Sequence, residues 1–163
     1  ATAGAPAQQP GQGTWQLLPA APVTALPGNV VSVWTGTEMI IHGTVATAGS
    51  NSGGVTFAYR PATGTWVTLA PGPVLHTEQT TDVAAWTGSQ MLIPGQTNAA
   101  YSPATGAWNP IPPDPGAQAE SVAAWTGSQL LVWGGVCCLS ESNSGTIYTP
   151  ATNTWQQLPA API

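Results

Sequence analysis

What this sequence has least of is charge. Only 4% of its 163 residues are Asp, Glu, Lys or Arg, against about a quarter in ordinary soluble domains. There is no lysine, and Arg60 is the single strong base against six carboxylates, for a formal net charge of -5. A chain so poor in bases cannot neutralise a run of phosphates, which excludes nucleic acid and anionic membrane surfaces as partners. The apolar content of 42% sits at the low edge for a globular chain, so the surface must be made of Thr, Ser, Gln, Asn, Gly and Pro. Disorder does not follow, because 8 Trp and many Val, Leu and Ile residues supply more burial than disordered segments carry.

Long hydrophobic runs are missing too. The nearest approach to a membrane span, residues 122–139, is broken by Thr126-Gly127-Ser128-Gln129 and again by Gly134-Gly135. It reads as two short strands and a turn. No window of twelve or more residues keeps an amphipathic helical spacing without a Gly or Pro, so helix should be close to nil. The chain opens at Ala1 with no Met, no charged n-region and no h-region. That is expected of a processed or excised product, and the expected location is secreted or extracellular.

What the sequence does have is internal repetition. Tyr59-Arg60-Pro61-Ala62-Thr63-Gly64-Thr65-Trp66 recurs as Tyr101-Ser102-Pro103-Ala104-Thr105-Gly106-Ala107-Trp108 and as Tyr148-Thr149-Pro150-Ala151-Thr152-Asn153-Thr154-Trp155, at spacings of 42 and 47 residues. A second motif keeps step: Val33-Trp34-Thr35-Gly36-Thr37, Ala85-Trp86-Thr87-Gly88-Ser89 and Ala124-Trp125-Thr126-Gly127-Ser128. Each copy is followed by a short apolar run ending in glycine, at 39–43, 91–95 and 130–135. Every unit therefore holds four runs of strand length separated by turn signals, the pattern of a four-stranded antiparallel sheet.

A Gly-Gly doublet after the second strand, followed by Tyr-x-Pro-x-Thr-x-x-Trp across the third and fourth, resembles the kelch repeat in its bacterial secreted-type variants. The resemblance covers about residues 15–158. His42-Gly43 and Pro94-Gly95 depart from it by keeping only one glycine of the doublet. It implies an all-β, kelch-like β-propeller with blades at about 29–70, 77–112 and 118–160, after a flexible Pro- and Gln-rich segment at 1–13. In that family ligands are met on one face near the central axis.

Three blades do not close a ring, since propellers need about four to eight. The segment Thr14-Trp15-Gln16-Leu17-Leu18-Pro19-Ala20-Ala21-Pro22-Val23 matches residues 154–163 at eight of ten positions, so an extra N-terminal outer strand is expected at Trp15. Either a second copy, joined head to tail, or further chain would complete the circle, with six blades the expected total.

Residues repeated in every unit are expected to serve packing, which accounts for all three tyrosines and seven of the eight tryptophans. The remainder are the candidates for function. Trp133 stands before Gly134-Gly135 where the other units have His42 and Pro94; it either packs or offers a stacking platform for a sugar ring. Cys137 and Cys138 are the only cysteines, adjacent in the loop between the second and third strands of the last unit. In an oxidising compartment they can close a vicinal disulfide, which stiffens the loop and presents flat sulfur to a ligand, or only stiffens it. A metal site is not expected, because adjacent thiolates lack zinc-site spacing and only His42 and His76 exist to complete a shell.

Glu78, Asp82, Asp114, Glu120 and Glu141 fall in or beside loops on the same side of the units, with Glu38 alone opposite. With His42 and His76 they would make a faintly acidic, hydrogen-bonding rim; solubility alone would also put charges in loops. Composition argues against several propeller enzymes: one arginine cannot supply a sialidase's triad, and every tyrosine that a copper oxidase would need is a repeat residue. A paired-carboxylate hydrolase using Glu78 and Glu120 would need a cleft and a raised pKa. The expectation is an extracellular binding module without catalysis or cofactor, with ligand-binding residues Trp133, Cys137, Cys138, Glu120, Glu78, His76 and His42. Carbohydrate suits such a surface, since aromatic faces match sugar C–H faces while carboxylates accept hydroxyl protons. A structural or protein-interaction propeller is the alternative.

Overall fold

The Thr-Gly and Pro-Ala-Thr-Gly segments act as the expected turns. In the first, Thr35 Oγ1 accepts from the backbone N–H of Glu38 at 3.0 Å, and Thr87 and Thr126 do the same for Gln90 and Gln129 at 2.9 and 3.0 Å. Gly36, Gly88 and Gly127 follow at φ near 100°, a backbone that L side chains rarely adopt. In the second turn, Gly64 and Gly106 take the left-handed conformation, and Asn153 takes it in the third copy at φ 55°.

The described residues contain fourteen strands and no helix. The structure, a computed structural model, describes residues 14–23, 28–46, 52–75, 82–137 and 140–161, with the backbone alone at Ala46, Ser52, Cys137 and Ser140. The segment 1–13 and the candidates His76, Glu78 and Cys138 lie outside the described residues.

The first sheet is β1 (Val30–Trp34), β2 (Met39–Ala46), β3 (Ser52–Arg60) and β4 (Thr65–Thr68), paired in chain order. The second repeats that order with β5 (Ala85–Trp86), β6 (Met91–Ile93), β7 (Ala99–Ser102) and β8 (Ala107–Pro110). The third uses β9 (Val122–Trp125), β10 (Leu130–Trp133), β13 (Gly145–Thr149) and β14 (Thr154–Gln157). A small hairpin of β11 (Val136–Cys137) and β12 (Ser140–Glu141) is inserted between β10 and β13. All pairings are antiparallel, and the three sheets do not form a closed ring.

Register explains why the motif residues recur. Trp34 pairs with Met39, Met39 with Tyr59 and Tyr59 with Trp66, so the four form one row across one face of the first sheet. The same aromatic row is Trp86, Met91, Tyr101 and Trp108 in the second sheet, and Trp125, Leu130, Tyr148 and Trp155 in the third. Its Tyr and Trp rings lie 5.0, 5.1 and 5.0 Å apart in the three sheets. One residue along, on the opposite face, runs an aliphatic row: Val33, Ile40 and Ala58 in the first sheet and Ala85, Leu92 and Ala100 in the second.

The core is made where these rows meet. Val33, Ile40 and Ala58 of the first sheet pack with Met91 and Tyr101 of the second, joined by Trp86 and Trp108. Ala85, Leu92 and Ala100 of the second pack in the same way with Leu130 and Tyr148 of the third, joined by Trp125 and Trp155. Each indole on the fourth strand also reaches back. Trp108 Nε1 donates to the carbonyl of Ala70 at 3.3 Å and Trp155 Nε1 to that of Pro112 at 2.9 Å.

The strand expected at Trp15 does not form. Residues 14–23 have no strand structure, and Trp15 and Leu17 are fully exposed. A fourth strand needs a third beside it, and among the described residues no third strand is left over to supply one. The segment is instead tied to the first sheet at one point, where Trp66 Nε1 donates to the carbonyl of Pro19 at 2.9 Å, the counterpart of the other two indole bonds.

Candidate functional site

At one end of the sheets lie the short β1–β2 and β3–β4 turns, where Arg60 Nε bonds Glu38 Oε2 at 2.8 Å. The pair is partly exposed and adds little to stability. The ends of β2 and β3 and the described parts of the connections from one sheet to the next lie at the other end, with the described candidates His42, Glu120, Trp133 and Cys137.

His42 comes from β2 of the first sheet and is fully buried. Its Nε2 lies 2.8 Å from the carbonyl of Pro73 and its Nδ1 2.9 Å from Thr56 Oγ1. A carbonyl can only accept, so Nε2 carries the proton and Nδ1 accepts from the threonine hydroxyl. Trp108 packs against the ring at a centroid distance of 4.5 Å. Burial pushes the His42 pKa below its ordinary value, opposed by the backbone hydrogen bonds of Pro73 and Val55. Gly72 permits this packing: a Cβ there would stand 2.5 Å from Trp108 Cε2 and 2.6 Å from His42 Cε1. Both nitrogens are engaged and the ring is enclosed, so His42 belongs to the junction between sheets and not to a ligand-facing rim.

The next junction is held by a carboxylate. Asp114 leaves β8 through Pro112 and Pro113 and is buried. Its Oδ1 accepts from Thr146 Oγ1 on the third sheet at 2.8 Å and from the Gly116 N–H at 2.9 Å. Its own N–H donates to Asn98 Oδ1 at 3.2 Å. Asp114 Oδ2 and Gln118 Oε1 are buried with no hydrogen-bond partner among the described residues. Asp82 accepts from Asn29 and from Thr97, each at 3.3 Å. A cavity of about 10 Å³ lies nearby, lined by residues that include Asp82, Pro94, Gln96, Gln118 and Ser121. That is room for one water-sized occupant, far short of a sugar ring.

Glu120, Trp133 and the backbone of Cys137 lie near the end of the third sheet. Trp133 closes β10, half-buried, paired with Val122 and Gly145. Gly145 is required there, because a Cβ would fall 2.7 Å from Trp133 Cε3. Just beyond Gly134-Gly135, the Val136 N–H donates to the carbonyl of Ala119 at 2.8 Å and the two residues form a bridge. This contact pins the connection from the second sheet against β11. Glu120, next in sequence, is exposed and held at φ 57°. The backbone thus brings Glu120, Trp133 and the hairpin carrying Cys137 to one place, with His42 separated from them in the first junction.

Sequence reasoning placed Asp114 on the acidic rim, but it is a buried clamp between sheets. The small hairpin and the buried Oε1 of Gln118 carried no signal, since a two-residue strand and a single glutamine are indistinguishable from loop. Burial raises the phenol pKa of Tyr101, with a contribution from Glu38, and that of Tyr148, which suits packing residues better than bases. Among the described residues no three His, Cys, Asp or Glu side chains converge as metal ligands, and no helix is long and apolar enough to cross a membrane. No known protein-family model matches the chain. No curated protein matches it either.

Proposed function

We propose that the chain is an extracellular, non-enzymatic binding module of kelch-like propeller type, which takes carbohydrate on the loop end of its third sheet. The observation that carries this reading is the Ala119–Val136 bridge, which gathers an exposed carboxylate at Glu120, the half-buried indole of Trp133 and the Cys137 hairpin at one edge. An indole face offers stacking to a sugar's C–H face and a carboxylate accepts its hydroxyl protons. In this reading Cys137 and Cys138 form a vicinal disulfide that stiffens the hairpin tip, with His76 and Glu78 contributing from the connection between the first two sheets. The small cavity beside Asp82 and Gln118 is not the ligand site in this reading.

The test is a glycan array followed by titration calorimetry on any hit. Binding should weaken roughly tenfold in Trp133→Ala, the loss expected when a stacking face is removed, and it should fall after mild reduction. No binding across the array would sink the carbohydrate reading.

A protein-interaction propeller is favoured by a separate observation. Trp34 is 53% exposed and Val122 is 65% exposed, large apolar side chains on the outer sheets at positions whose repeat counterparts pack between sheets or beside them.

A further inference from the structure

The two junctions inside the chain are built alike, and each of the outer sheets keeps half of a third. The first sheet's aromatic row, Trp34, Met39, Tyr59 and Trp66, faces away from the second sheet, and its indole at Trp34 is half exposed. Its counterparts Trp86 and Trp125 are packed on the sheet before them. On the third sheet, Ala124, Leu131 and Ile147 make the aliphatic row, with Val122 beside it. Ala124 and Val122 are exposed, whereas Val33 and Val31 at the same positions in the first sheet are buried against the second.

We infer that the aliphatic row of the third sheet docks on the aromatic row of the first sheet of a second copy of this chain, head to tail, repeating the junction that the chain already makes twice. The faces are complementary because each has already met its opposite: an aliphatic row received Trp86 and Trp108 in one junction and Trp125 and Trp155 in the next. The hydrogen-bond register agrees. Trp66 Nε1 is held by Pro19 within Leu18-Pro19-Ala20-Ala21-Pro22, and the third sheet continues into Leu158-Pro159-Ala160-Ala161-Pro162, the same five residues. No indole among the described residues donates to Pro159, whereas Ala70 and Pro112, at the same place in the other units, each receive one. Docking exchanges one copy's 18–22 segment for the other copy's 158–162 segment on the same indole. Such a contact joins unlike faces, so it closes only if the rotation completes a circle. That two copies close rests on the propeller reading, in which six blades lie within the usual range.

Sedimentation velocity without any glycan tests the contact independently of the array. The unmodified chain should form dimers, and Val122→Arg or Trp34→Glu should each weaken self-association by roughly tenfold or more, as charge placed in an apolar contact does. Both positions are exposed in the single copy, so the variants should keep the parent's circular dichroism spectrum, and their melts should fall below the parent's only by the stabilisation that association lends. Mixing the two variants should restore dimers, because each retains the face the other has lost and the altered faces carry opposite charge. A monomer at the highest soluble concentration, dimers unaffected by Val122→Arg, or open-ended polymers in place of dimers would each overturn the two-copy ring.

Discussion

Thr146 on the third sheet donates its hydroxyl proton to Asp114 Oδ1, 2.8 Å away on the segment leaving the second. The same oxygen receives the Gly116 N–H, so one buried carboxylate fastens two sheets and shapes the connection between them. Replacing it leaves a hydroxyl and an amide without an acceptor. Asp114→Ala should therefore cost about 2 kcal/mol or more in urea unfolding, with Thr146→Val milder at roughly 1 kcal/mol.

His42 gives the fold a pH dependence of known sign. Its folded pKa lies below the ordinary value of 6.5, so the unfolded chain takes up the proton first as pH falls. The stabilisation is full above the unfolded pKa and is lost progressively as pH drops through it toward the folded value. Melting temperatures should decline on acidification through the histidine range, and the decline should be shallower in His42→Gln. His76 is present in both proteins, so the difference isolates His42.

Gly72 has no room for a methyl group between Trp108 and His42. Gly72→Ala must displace one ring or the other, at a cost of roughly 1–3 kcal/mol. Near-ultraviolet circular dichroism should change with it, because the indole moves.

The indole bonds can be separated from ring packing by Trp→Phe. Trp108→Phe removes the donor to Ala70 and should lower stability by about 1 kcal/mol beyond the area lost. Trp15→Phe should leave stability unchanged, since Trp15 touches no core. Equal losses for both would show that the bond to Ala70 contributes nothing.

The three-sheet architecture was legible because the strand signal was printed three times. Tyr59, Tyr101 and Tyr148 fall opposite Trp66, Trp108 and Trp155 whatever loops lie between, as period-two pairing requires. The site was less legible because its parts come from distant connections. Asp114 and Thr146 are 32 residues apart, and nothing in a Pro-Pro-Asp-Pro run tells that its carboxylate turns inward. His42 read as a rim residue because its partners, Thr56 and Pro73, come beside it only when β3 pairs with β2 and the exit segment folds back. The strand expected at Trp15 failed for a different reason. Its sequence matches that of a fourth strand, but a strand is stabilised by its neighbour and not by its own composition.

The indole-to-carbonyl bonds also fix the order in which the chain comes apart. Each ties one sheet only to the segment immediately before it, so cooperativity passes from neighbour to neighbour along a line. The second sheet alone is clamped by a whole sheet on both sides. Its amides around Leu92 and Ala100 should be the last to exchange with deuterium, and protection should decay outward from there, faster toward whichever outer face stays bare.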